Sequence, residues 1–182
     1  EGQVAAGTVA IAYNKRLSPL VTDPFYGAVV AGMEESLQQL GYRVLLRSID
    51  GADGYAGLFE QDSAGNQNDG LLLVGCDVSP DVLSEASERD MPVVLVDNES
   101  KEANIDSVVS DNEAAAKCAI QHFYTLGHRK IAFIGGPQSH VSLAQRYKGY
   151  VSALHEFGMD FLKRWVIFAE SVDIHGPEIG YE

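Results

Sequence analysis

The chain has 182 residues, 46% hydrophobic and 21% charged, an ordinary balance for a globular protein holding one core or one core and part of a second. Its 13 Lys and Arg face 26 Asp and Glu, a formal net charge of −13, and the basic residues form no stripe, so this stretch does not itself neutralise nucleic-acid phosphates. No apolar run is long enough to cross a bilayer, Glu1–Gly7 show no secretion-signal pattern, and Cys76 and Cys118 fit no metal or redox spacing, which reads as two reduced thiols in a cytoplasmic protein.

Strands and helices are predicted to alternate from the start. Thr8–Tyr13 (TVAIAY) reads as a short buried strand, followed by a polar loop, Asn14–Thr22. Asp23-Pro24 then opens a helix, with Asp as N-cap and Pro in the first turn. Phe25, Val29, Met33, Leu37 and Leu40 recur at helical spacing, and Gly41 is a natural stop. Tyr42–Ile49 is the second strand, Leu58–Ala64 a weak glycine-diluted helix, and Gly70–Val74 the third strand. Ser79 caps a helix over Pro80–Glu88, and Val93–Val96 is the fourth strand. Ser107–Ser110 reads as a short fifth strand and Asp111 as the cap of a helix over Asn112–Leu126, with Ala116, Ala119, Ile120 and Phe123 on its apolar face. Lys130–Ile134 is a strand closed by Gly135-Gly136-Pro137. A helix carrying Ala144, Tyr147, Val151 and Leu154 stops near Gly158, Trp165–Phe168 is another strand, and 178–182 reads as the start of a further helix. Alternation of this kind implies parallel sheets with right-handed crossovers and helices on both faces. A boundary is expected near Ser110, giving 1–7 as a linker remnant, 8–109 as an N-terminal α/β lobe and 110–182 as part of a C-terminal one.

Ligands of open parallel sheets bind beyond the carboxyl ends of the strands. The residues that follow the predicted strands are Tyr13 and Asn14, Gly75 to Asp77 with Cys76 between them, Asp97 and Asn98, Ser110 and Asp111, and Gly135 to Pro137. Hydroxyls, amides, carboxylates and bare backbone suit a neutral, hydroxyl-rich ligand better than a phosphate. Each has a plainer reading as well. Asp97 can cap a turn, Asp111 a helix, and Cys76 can be a small buried side chain. Phe25 and Tyr26 can be core aromatics or can stack on a sugar face. Arg146 lies in the first turns of its helix beside the apolar stripe, where it is either solvated or offers paired donors to adjacent hydroxyls or a carboxylate. Enzyme signatures are lacking: there is no G-x-S-x-G, G-x-G-x-x-G, Walker A or H-E-x-x-H pattern. His128 follows a helix end, and His122, His140, His155 and His175 show no ligand spacing, so no metal and no cofactor is implied.

The run PVVLVDNESKEANIDSVVSDNEAAAKCAIQHFYTLGHRKIAFIGGP at 92–137 resembles the LacI/GalR regulators, whose ligand domains carry a strand ending in Asp, then V-x-x-D-N-x-x-A, then L-G-H-R-x-I-x-x-I-x-G. DPFY ahead of AGMEESLQQLGY, and AQRYKGYVSALHEFG, similar to R-x-x-G-(aromatic)-x-x-A-L, extend the likeness over about Thr8 to Glu182. The resemblance implies a periplasmic-binding-protein-like fold: two α/β lobes of parallel sheet flanked by helices, with an effector, a sugar or similar small polar molecule, in the cleft. By the same likeness Asp97 and Arg146 match positions that hydrogen-bond the effector, and Tyr13, Phe25, Cys76 and Ser110 match positions that line the cleft. It further implies a homodimer that meets operator DNA only through an N-terminal helix-turn-helix domain absent from this stretch, and a second lobe that continues past Glu182. A periplasmic sugar-binding protein feeding a transporter has the same fold and is the alternative; an enzyme on a doubly wound sheet is the third reading.

Overall fold

The structure, a computed structural model, describes residues 6–14, 24–49, 57–60, 67–75, 78, 80–100 and 105–169. The chain divides into two compact units, Glu1–Val109 and Ser110–Glu182. In the first, five strands form one wholly parallel sheet: β1 (Gly7–Asn14), β2 (Tyr42–Ile49), β3 (Gly70–Val74), β4 (Val93–Val96) and β5 (Asp106–Val108), in the order β2-β1-β3-β4-β5. Helices α1 (Tyr26–Gln39) and α2 (Pro80–Glu88) follow β1 and β3.

The strands read as continuous apolar runs because both faces of the sheet are covered. Ile11, Leu72, Val74 and Val96 point to one face and meet Val29, Val30, Met33 and Leu37 of α1. Ala10, Ala12, Leu71, Leu73 and Leu95 point to the other, under Val82, Leu83 and Ala86 of α2 together with Leu58 and Phe59. The alternation follows from the two-residue period of a strand.

Four elements, β2, β3, α2 and β4, keep the bounds predicted for them. Others shift. Helix α1 starts at Tyr26, after a turn at Pro24 and Phe25, and Phe25 stands at its cap position without a side-chain cap. Strand β5 covers Asp106–Val108 and not Ser107–Ser110; as an exposed edge strand it pairs on one side only, so the ladder to β4 ends at Val108 and Ser110 falls in the turn beyond. The expected caps Asp23 and Ser79, most of the 58–64 helix, and the 178–182 segment lie outside the described residues.

The second unit holds α3 (Asn112–Thr125), β6 (Phe133–Gly135), α4 (Val141–Glu156) and β7 (Val166–Phe168), with β6 and β7 parallel. Strand β6 begins three residues later than the predicted Lys130: the carbonyl of Ile131 accepts the Tyr150 hydroxyl at 2.9 Å, and pairing with β7 starts only at Phe133. The Trp165 end of the last predicted strand is instead a 3₁₀ turn, Lys163–Trp165. Asp111 caps α3 as predicted, accepting the Ala114 N–H at 2.9 Å. The apolar face of α3 is rotated from the predicted one. Phe123 is 42% exposed, whereas Ile120 is buried and Tyr124 packs beside it against Tyr150, Ala153 and Leu154 of α4.

At Gly149 the backbone of α4 lies directly against the backbone of α3 and the Ala116 side chain. A Cβ added there would meet the Glu113 carbonyl oxygen at 2.3 Å and the Ala116 Cβ at 3.0 Å. Lys148 reaches Glu113 at 2.7 Å, and Lys117 pairs with Glu156. Exposed pairs of this kind add little energy, but they bracket the helix crossing at both ends.

Candidate functional site

In the first unit the chain turns opposite ways from β1, toward β2 on one side and β3 on the other, and a ligand crevice forms outside the carboxyl ends of strands at such a switch point. The groups gathered at that rim come from three elements. Tyr13, next to last in β1 and paired with Val74 of β3, is half-buried against the Ile11 cluster. Phe25, just before α1, is 43% exposed and stands edge-on to Tyr26 with centroids 5.0 Å apart. Asp97 follows β4 directly. Its backbone N–H still donates to the Val108 carbonyl at 2.9 Å, while its side chain is only 7% exposed.

Asp97 takes φ of +56°, a conformation in which a side chain costs energy except at glycine, and aspartate is among the residues that tolerate it. Its carboxylate Oδ2 accepts the Tyr26 hydroxyl at 2.7 Å. A carboxylate drawn from water needs such a donor. The bond spans 71 residues of sequence and ties the end of β4 to the first turn of α1.

In the second unit the site residues converge on one amide. Asn112, the first residue of α3, is 2% exposed. Its Oδ1 accepts Arg146 Nε at 2.8 Å, and its Nδ2 donates to the Ser110 carbonyl at 3.0 Å and to Gln145 Oε1 at 3.2 Å. The close crossing at Gly149, one turn on from Arg146, is what lets α4 bring that side chain to the start of α3. Arg146 itself is exposed, and among the described residues its two terminal nitrogens take no hydrogen-bond partner.

The structure thus joins Asp97 to Tyr26, with Phe25 and Tyr13 nearby, in the first unit, and Ser110 to Arg146 through Asn112 in the second. Cys76 lies outside the described residues. Sequence reasoning passed over Asn112 and His140. A polar residue placed four positions ahead of Ala116 and eight ahead of Ile120, on the stripe that packs against α4, was the available signal for Asn112. His140 precedes α4 without capping it, and its Nδ1 is buried with no hydrogen-bond partner among the described residues. No group of three or more His, Cys, Asp or Glu among the described residues could hold a metal ion.

Beneath the Arg146 turn, burial raises the Tyr150 hydroxyl above its ordinary value of 10.0, and the neighbouring Tyr147 adds in the same direction. The hydrogen bond to Glu156, and then its charge, raise Lys117 above 10.5. Both groups hold their protons longer folded than unfolded. Their stabilisation is therefore complete below pH of about 10 and is lost as pH rises through the folded-state values. Urea midpoints of the intact protein should fall between about pH 9 and about pH 11, and Tyr150→Phe should fall less steeply over that window.

The chain matches the family model described as periplasmic binding proteins and sugar binding domain of LacI family over residues 13–175. It is 34% identical over 146 residues to the maltose regulon regulatory protein MalI of Escherichia coli, a match covering 79% of this chain and 42% of that protein. It is 30% identical over 147 residues to the ribose operon repressor of Lactococcus lactis, covering 80% and 42%. Among solved structures, a complex of the transcriptional regulator CelR with cellobiose superposes with a TM-score of 0.76 at 28% identity, over 90% of this chain and 50% of that one. The chain spans less than half the length of the two curated relatives. The α/β architecture with its parallel sheet flanked by helices agrees with theirs, and the chain belongs to the family of periplasmic binding proteins and LacI-type sugar-binding domains.

Proposed function

We propose that this stretch is the effector-sensing region of a LacI-type transcriptional regulator, a binding module and not an enzyme. The carrying observation is a buried, tyrosine-held carboxylate at the carboxyl rim of a parallel sheet, in a chain whose relatives are repressors. Those relatives favour regulation over service to a transporter. On the likeness to LacI-type domains, Asp97 and Arg146 are the groups assigned to hydrogen-bonding the effector. Tyr13, Phe25, Ser110 and Cys76 line its surroundings, and His140 offers a further ring nitrogen. Acceptors, donors and aromatic faces of this kind fit a small saccharide.

With a net charge of −13, the stretch leaves operator binding to another segment of the protein, which acts in the cytoplasm as a homodimer. Effector binding alters operator affinity by favouring one of two conformations. Cellobiose, maltose and ribose, the sugars in the relatives' names, form the first panel. Calorimetric titration of the intact protein should give saturable binding to a saccharide, weakened by Arg146→Ala by about 2 kcal/mol or more. Wild-type affinity in that variant would remove Arg146 from the site.

A further inference from the structure

A lone arginine on a helix surface samples many rotamers, and ordering it on binding costs free energy. Arg146 is exposed, yet its Nε is fixed by the Oδ1 of Asn112, a side chain itself 2% exposed. The orientation of that amide is dictated by its partners. The guanidinium can only donate and the Ser110 carbonyl can only accept, so Oδ1 must face Arg146 and Nδ2 must face Ser110. With the second Nδ2 hydrogen committed to Gln145, the amide cannot turn without breaking all three bonds.

We propose that Asn112 is the positioning residue for Arg146. It consumes Nε and holds the guanidinium so that Nη1 and Nη2 meet the effector end-on. The proposal rests on Arg146 being an effector-binding group. The occupant it selects presents two adjacent oxygen acceptors, as a vicinal diol of a saccharide does. A neutral amide at position 112 fixes the geometry while leaving the full positive charge of Arg146 unspent.

Two measurements on the intact protein test it. In arginine-labelled protein, the Nε–Hε signal of Arg146, assigned by its loss in Arg146→Lys, should exchange with solvent slowly. Asn112→Ala should speed that exchange by about tenfold or more, and Asn112→Asp, which keeps the acceptor but loses both donors, should restore protection. If the alanine variant exchanges as slowly as wild type, or the aspartate variant as fast as alanine, Asn112 does not hold Nε and the proposal is overturned. Titration with cellobiose, maltose and ribose adds the second arm. For a sugar that binds, Asn112→Ala should weaken affinity by roughly tenfold, and it should cost nothing further in an Arg146→Ala background. Additive losses would show a merely structural role. Arg146→Ala binding as tightly as wild type would instead sink the effector-site reading, while the exchange arm still judges the lock by itself.

Discussion

Gly149→Ala should destabilise the protein by about 3 kcal/mol, and Gly149→Val should leave the second unit unfolded. Alanine in mid-helix is ordinarily worth about 1 kcal/mol over glycine. Here the new methyl group would sit 2.3 Å from the Glu113 carbonyl oxygen, which belongs to the backbone of α3 and cannot swing aside. Relief requires the helices to separate, and that breaks the contacts of Ile120 with Tyr150, Ala153 and Leu154. Gly32 in α1 is the matched control, since a Cβ there meets nothing within 4 Å. Gly32→Ala should stabilise by about 0.5–1 kcal/mol. Denaturant midpoints of the two alanine variants on opposite sides of wild type would verify the contrast; a stabilised Gly149→Ala would refute the crossing.

Asp97→Ala should abolish measurable saccharide binding, a loss of about a hundredfold or more, because it removes both the acceptor and the anchor of Tyr26. Tyr26→Phe should lose only about tenfold, since the carboxylate survives without its fixing donor. Stability separates the backbone from the side chain. Asp97→Gly should be more stable than Asp97→Ala by about 1 kcal/mol, because glycine takes φ of +56° without penalty. Equal stability of the two would mean that the conformation at 97 carries no strain, and undiminished binding in Asp97→Ala would exclude the carboxylate from the site.

The buried strands were legible because a strand covered on both faces is written as an unbroken apolar word, as in GLLLV at 70–74 and VVLV at 93–96, with glycine or proline at its edge. The short edge strand β5 and the three-residue β6 were misplaced for the converse reason: with a partner on one side only, pairing is decided by geometry and not by composition. The rule that polar groups gather where parallel strands end pointed to Asp97, which directly follows β4, and to Ser110, which lies two residues past the end of β5. It could not pair them. The Tyr26–Asp97 and Asn112–Arg146 bonds join residues 71 and 34 positions apart, and nothing local in either segment encodes its partner. Phe123 was misassigned because alanines on both sides of α3 blur its helical periodicity; the true inner stripe shows only once α4 is seen to lie along Ile120 and Tyr124.

The crossing of α3 and α4 is fastened at the near end by an amide, in the middle by a bare backbone and at the far end by Lys117 and Glu156. The amide of Asn112 and the bare backbone at Gly149 thus fix where α4 starts along α3, so the Arg146 side chain and the first turn of α3 are set by the same few atoms.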